Sequence, residues 1–177
     1  MQSWIFQARP DTFDILGYVS RFKRIYWSAV QLSTNQQFKL GDEVFVYKAF
    51  GKPKEAFAGV VAIGRIVELP VSKRSVRYPE NLGDEFWRNG GSEKSELKVG
   101  VQLDEIRTKV EEGALQRDAL LADKVLSESQ FVKVRSGTVF LLSGAQPERL
   151  RTLWNSGDAL GRTSPVLPNK EKRNPPW

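Results

Sequence analysis

Apolar and polar residues alternate most cleanly at Leu97, Val99, Val101 and Leu103, with Lys98, Gly100, Gln102 and Asp104 between them. A period of two predicts a half-buried strand. Trp4-Ile5-Phe6-Gln7 and Val44-Phe45-Val46-Tyr47 are aromatic and β-branched runs and predict two more. Ala58 to Val67 is the most apolar stretch and predicts a central strand, in which Gly59 and Gly64 call for a bend or a close backbone approach. Val139-Phe140-Leu141-Leu142 predicts a last strand. Helical spacing appears at Phe13, Ile15, Leu16, Tyr18 and Val19, which predicts a helix near 11–22 with Asp11 at its start. Leu115, Leu120, Leu121 and Val125 predict short helical pieces, and Leu150, Leu153 and Trp154 a closing helix over 145–154. Lys23 to Ser28 reads as irregular or extended. Residues 70–96, rich in charge and turn formers, read as a long surface loop, a length that is usually functional or disordered in a compact domain.

The order is strand, helix, several strands, short helices, strand, helix. It predicts a mixed α+β fold in which a curved sheet or small barrel carries helices on its outside. No internal repeat is visible. Residues 1–160 are expected to form one domain. Residues 161–177 are polar, basic and interrupted by Pro165, Pro168, Pro175 and Pro176, which resist helix and central strand. They are expected to be a tail or linker.

Composition narrows the chemistry. The 177 residues include neither cysteine nor histidine. Disulfides, thiolate metal sites, Ser-His-Asp triads and zinc sites needing His are therefore excluded within this chain. Gly51-Lys52 lacks the glycine spacing and the following Ser or Thr of a phosphate-binding loop. The acidic pairs Asp11 and Asp14, Asp42 and Glu43, and Asp104 and Glu105 fall at predicted caps, turns or strand ends, where such residues are usually solvated or capping. An enzyme with a carboxylate-based site is the alternative this leaves, with a divalent metal among Asp11, Asp14 or Asp104. Otherwise no cofactor is expected. The net charge of +6 fits a polyanion partner, because Lys and Arg displace counterions from phosphates. No apolar run reaches the ~18–20 residues that span a membrane, and Met1 to Phe6 does not resemble a signal peptide. A cytoplasmic location is the expectation.

Trp27, Tyr78, Phe86 and Trp87 lie in segments read as irregular, interleaved with Lys23, Arg24, Lys73, Arg74, Arg77 and Arg88. Any one of these aromatics reads most simply as a core plug. Together with the cations they favour base stacking accompanied by phosphate contacts.

Four segments in order resemble the EVE domain. They are Trp4 to Ile15 (WIFQARPDTFDI), Tyr26 to Gln31 (YWSAVQ), Gly41 to Tyr47 (GDEVFVY) with Ala58 to Gly64 (AGVVAIG), and Gly137 to Leu142 (GTVFLL) before a helix ending in Leu153-Trp154. The resemblance spans about residues 3–155. It implies a PUA-like pseudobarrel of strands flanked by helices, related to the YTH readers of methylated adenine. It further implies a reader of modified cytosine in DNA, of the kind linked to nucleases of modification-dependent restriction. A binder of modified or structured RNA is the related alternative. By this resemblance Trp27 is a wall of the base pocket, with its face exposed before a base arrives. Ser28 is a polar contact to the base, Asp14 is a pocket acid, and Phe86 or Trp87 is the opposite wall, with Tyr78 as a rival. The family usually has Asn before Pro10. Here Arg9 stands there and joins Lys23, Arg24, Lys73, Arg74, Arg77 and Arg88 as an expected phosphate contact.

Overall fold

A computed structural model describes residues 1–29, 37–51, 57–89, 95–134 and 139–157. The expected tail lies outside these. Seven strands, β1 (Ser3–Ala8), β2 (Arg24–Ser28), β3 (Glu43–Lys48), β4 (Gly59–Ser72), β5 (Leu97–Ile106), β6 (Leu115–Gln116) and β7 (Val139–Leu141), form one sheet. The helices are α1 (Ile15–Arg21), α2 (Arg117–Ala122), α3 (Gln130–Lys133) and α4 (Gln146–Ser156). The sheet order is β2-β5-β4-β3-β1-β7, with β6 added to β4. β1 runs parallel to β3, pairing Ser3 with Glu43 through Ala8 with Lys48, and the other pairings are antiparallel. The fold is mixed α+β, as the order of patterns predicts.

Both faces of the sheet are covered, which is why β1 and β3 read as continuous apolar runs instead of alternating ones. On one face Trp4, Phe6, Val44, Val46, Val61, Val99, Val101 and Trp27 pack with Ile15, Tyr18 and Val19 of α1. On the other, Ile5, Phe45, Tyr47 and Val60 pack with Leu120, Phe131, Leu150 and Trp154 of the remaining helices. Alternate residues of one strand thus serve two cores. The sheet curls until β2, at one end of its order, reaches β1: the rings of Trp27 and Phe6 stack with centroids 5.5 Å apart.

Polar ties hold this arrangement. The buried Asp42 carboxylate accepts from the Gln2 and Lys39 amides and from the Trp4 indole, at 2.9, 3.0 and 3.1 Å, so it is satisfied internally. Arg151 reaches Glu43 at 2.7 Å, and Arg107 lies 4.0 Å from the Trp154 ring while donating to the Trp154 carbonyl. These contacts fasten α4 to the sheet.

Two expectations need correction and one open alternative is settled. The first helix begins at Ile15 with Asp14 as its cap, not Asp11. Residues 11–14 are held instead by pairing with 86–88, so they cannot enter the helix. Second, of the two readings left open for Lys23 to Ser28 the extended one holds, since Arg24–Ser28 is a regular strand against β5. Third, β4 continues to Ser72, and short 3-10 turns at Lys73–Ser75, Pro79–Asn81 and Asp84–Phe86 organise the chain after it. Pro70 is accommodated because the β4–β5 register shifts between Glu68 and Val71, where a ladder amide is not required.

Candidate nucleic-acid interface

The link between the start of α1 and the segment before β5 is built from backbone. Phe13 and Trp87 form an antiparallel bridge. The Asp14 amide donates to the Phe86 carbonyl at 2.8 Å, and the Arg88 amide to the Thr12 carbonyl at 2.9 Å. This pairing brings together Asp14, Phe86, Trp87 and Arg88 from distant parts of the chain. The Asp14 carboxylate caps α1 by accepting from the Gly17 amide at 3.1 Å and pairs with the Arg88 guanidinium at 3.2 Å. Gly17 is required here: a Cβ would stand 2.5 Å from an Asp14 carboxylate oxygen and 3.1 Å from the Phe86 ring.

Phe86 and Trp87 are half-buried. Phe86 packs edge or tilted on Phe13, Tyr18 and Phe22, and Trp87 lies edge-on to Phe13 at 4.9 Å. Arg88 also donates to the Pro10 carbonyl at 3.1 Å, and Arg9 pairs with Asp11 at 3.0 Å. Arg9 and Arg88 therefore reach the same turn from two sides.

Trp27 belongs to the core and is 7% exposed. The expectation of an exposed face in the free protein is corrected. β2 curls toward β1, so one face of the indole rests on Phe6 and the ring is enclosed. Ser28 comes next, half-buried, at the end of β2 and opposite the buried Lys98.

A second group forms on the outer side of β2. Tyr26 is buried, and its hydroxyl donates to Glu68 at 2.7 Å and accepts from the Tyr78 amide at 3.1 Å. Glu68 also accepts from the Arg77 amide at 3.1 Å. Burial, then the hydrogen bond to Glu68, push the Tyr26 hydroxyl up to about 12, so it keeps its proton. Tyr78 is half-buried, with the guanidinium carbons of Arg24 and Arg77 at 4.9 and 5.6 Å from its ring centre. Tyr18 locks this segment to the sheet: its hydroxyl donates to the Asn81 carbonyl at 2.6 Å and accepts from the Tyr26 amide at 2.8 Å. Burial holds the Tyr18 hydroxyl far above its ordinary range.

The remaining predicted cations divide. Lys73 is paired with Asp84 at 2.9 Å. Lys23 and Arg74 are exposed on the surface. Of the acids considered for a metal, Asp11 pairs with Arg9, Asp14 with Arg88 and Asp104 with Arg65. Among the described residues no three metal-ligating side chains converge. The sequence places Tyr18 on the first helix and Tyr26 in a family-like segment without giving either a part in the site, and nothing in the spacing of Glu68 or Asn81 marks them. On the opposite sheet face, away from every predicted site residue, a cleft of about 90 Å³ opens among Gln7, Tyr47, Phe50, Arg117 and Phe131.

No curated protein matches the sequence. Among solved structures, human THYN1 protein in complex with 5-methylcytosine-containing DNA is 15% identical with a TM-score of 0.55, over 87% of this chain and 98% of that one. A protein from Pseudomonas syringae is 17% identical with a TM-score of 0.55, over 86% and 99%. An ASCH protein mutant from Zymomonas mobilis is 10% identical with a TM-score of 0.52, again over 86% and 99%. These likenesses establish a shared fold across the described domain. The family model for the EVE domain matches residues 2–149, so the ordered motifs, the PUA-like sheet and the match agree, and the chain belongs to the EVE domain family.

Proposed function

We propose that this domain is a reader of modified cytosine in DNA, which takes the base out of the duplex and holds it between aromatic side chains. The observation that carries the proposal is the Phe13–Trp87 bridge, which gathers an acid, two aromatic rings and an arginine at one place. Asp14 supplies a hydrogen-bond acceptor for a base edge, Trp87 or Phe86 supplies a wall, and Arg9 and Arg88 supply positive charge. Trp27 keeps one face on Phe6 and gives the other to the base, next to the polar Ser28. Because Trp27 is enclosed in the free domain, base entry has to uncover it. Family membership and the fold shared with a protein bound to 5-methylcytosine-containing DNA support the assignment of ligand class.

The energetics set the expected size of the preference. Extruding a base costs roughly a few kcal/mol, stacking returns about 1–3 kcal/mol, and phosphate contacts add a salt-dependent term. Burying one methyl group adds about 0.8 kcal/mol, a factor of roughly four in affinity. A larger preference requires that the polar edge also penalise the plain base. Binding measured on duplexes with 5-methyl- or 5-hydroxymethylcytosine against plain cytosine tests the proposal. Equal affinity for all of them, and for the single strands, removes it.

A further inference from the structure

We infer that Arg24, Tyr78 and Arg77 form a phosphate site on the outer side of β2, separate from the base pocket, and that Tyr26 and Glu68 are its positioning residues. The inference rests on the nucleic-acid reading above. Arg9, Arg21, Arg65, Lys73, Arg88, Arg107, Arg149 and Arg151 each have a carboxylate partner. Among the described residues Arg24 and Arg77 have none, yet both guanidiniums lie beside one tyrosine ring. The nearest acid in the cluster, Glu68, is committed to the Tyr26 hydroxyl and the Arg77 backbone amide. Arg24 Nε is buried and meets no acceptor. Two guanidiniums beside one ring, neither of them in an ion pair with a carboxylate, make a site for an anion, and guanidinium planes match phosphate oxygens. The aromatic ring beside them suits the sugar or base attached to that phosphate.

The placement is rigid. Tyr78 is fixed through its own amide by the Tyr26 hydroxyl. The next turn is fixed through the Asn81 carbonyl by Tyr18, and through the Asn81 side chain, which donates to the Arg24 carbonyl at 3.0 Å. Adjacent residues of β2 face opposite ways. Trp27 points into the core beside Phe6, whereas Tyr26 points outward to Glu68. One strand therefore serves the proposed base pocket on its inner side and the phosphate site on its outer side. This lets the two be altered separately.

The test measures binding of a short duplex carrying one 5-methylcytosine, and of its unmodified counterpart, across a series of salt concentrations. The proteins are the wild type, the double variant Arg24→Gln with Arg77→Gln, Tyr26→Phe, and Lys124→Gln as an exposed control away from the site. Removing one phosphate contact should reduce the slope of log affinity against log salt by about 0.9. The double variant is expected to remove at least one, weakening both duplexes by the same factor and leaving their ratio unchanged. Tyr26→Phe, measured at a temperature where it is fully folded, is expected to shift the slope the same way, because Tyr78 loses its anchor. Lys124→Gln should match the wild type. An unchanged slope in the double variant overturns the inference. So does a loss of the modified-to-plain ratio, which would put Tyr78 in the base pocket. A wild type without preference for the modified duplex, but with the slope change intact, removes the base-reading proposal and leaves the phosphate site standing.

Discussion

Replacing Trp27 by alanine separates its structural role from its proposed contact with a base. The side chain is 7% exposed and stacks on Phe6 at 5.5 Å, within the core that also holds Trp4, Val99 and Val101. A buried tryptophan removes about 150–250 Å² from water, worth roughly 4–6 kcal/mol at about 25 cal/mol per Å² as an upper bound. Truncations of this kind cost about 3–5 kcal/mol in practice. For a domain of this size each kcal/mol lowers the melting temperature by about 2–4 °C, so Trp27→Ala should melt roughly 6–20 °C below the wild type. Calorimetry or tryptophan fluorescence against temperature reads this directly. Trp27→Phe keeps a ring against Phe6 and should lose far less. Binding is then compared between wild type and Trp27→Phe, at a temperature where both are fully folded. If the indole is a pocket wall, the phenylalanine variant should bind the modified duplex about threefold to tenfold more weakly, a fraction of the ~1–3 kcal/mol of stacking. A Trp27→Ala variant melting within about 2 °C of the wild type would refute the burial argument. Undiminished discrimination in Trp27→Phe would remove the indole from the pocket.

Asp14 separates in a similar way: Asp14→Asn keeps a cap acceptor for the Gly17 amide and should preserve the melting temperature while changing base preference, whereas Asp14→Ala should cost about 1 kcal/mol in a denaturant titration. Tyr18→Phe leaves the Tyr26 amide and the Asn81 carbonyl without the hydroxyl between them and should cost about 1–3 kcal/mol in urea unfolding. Amide exchange should quicken around Asn81 in that variant and stay unchanged there in Tyr47→Phe, which alters the other core. Burial alone would raise the Asp123 carboxyl, but the Arg149 guanidinium and the Leu126 and Val125 amides outweigh it and hold it below its ordinary value. Its stabilising contribution is therefore present above about pH 4 and lost as pH falls below that, so the urea midpoint of wild type should drop more steeply than that of Asp123→Asn over that range.

How far the fold and site are legible in the sequence depends on whether a segment's partners are local. β1, β3, β4 and β5 announce themselves because their apolar content follows their own burial, and the closing helix shows its face at Leu150 and Trp154. β2 does not: Ile25, Tyr26 and Trp27 are all buried, so no alternation survives, and Tyr26 is covered by Glu68 and the 78–82 turn from far along the chain. The aromatics and cations between 70 and 89 are visible as a group, and the bridge to Phe13 is not, since backbone pairing leaves no mark on side-chain type. Trp27 stands out as a residue of interest. Its enclosure does not, because that arises from the curl of the sheet bringing β2 to β1.

The place of β1 in the sheet has a consequence for synthesis. It is made before the other six strands of the sheet, yet its neighbours are β3 on one side and β7, near the end of the described domain, on the other. All six of its residues are buried in the finished fold. A nascent chain halted before Val139 would hold β1 against β3 with its other edge open, a template for pairing with a second unfinished copy. Addition of β7 closes that edge. Translation pausing between β3 and β7 should thus raise the yield of aggregates far more than pausing before β3, even though the stability of the completed domain is the same in both cases.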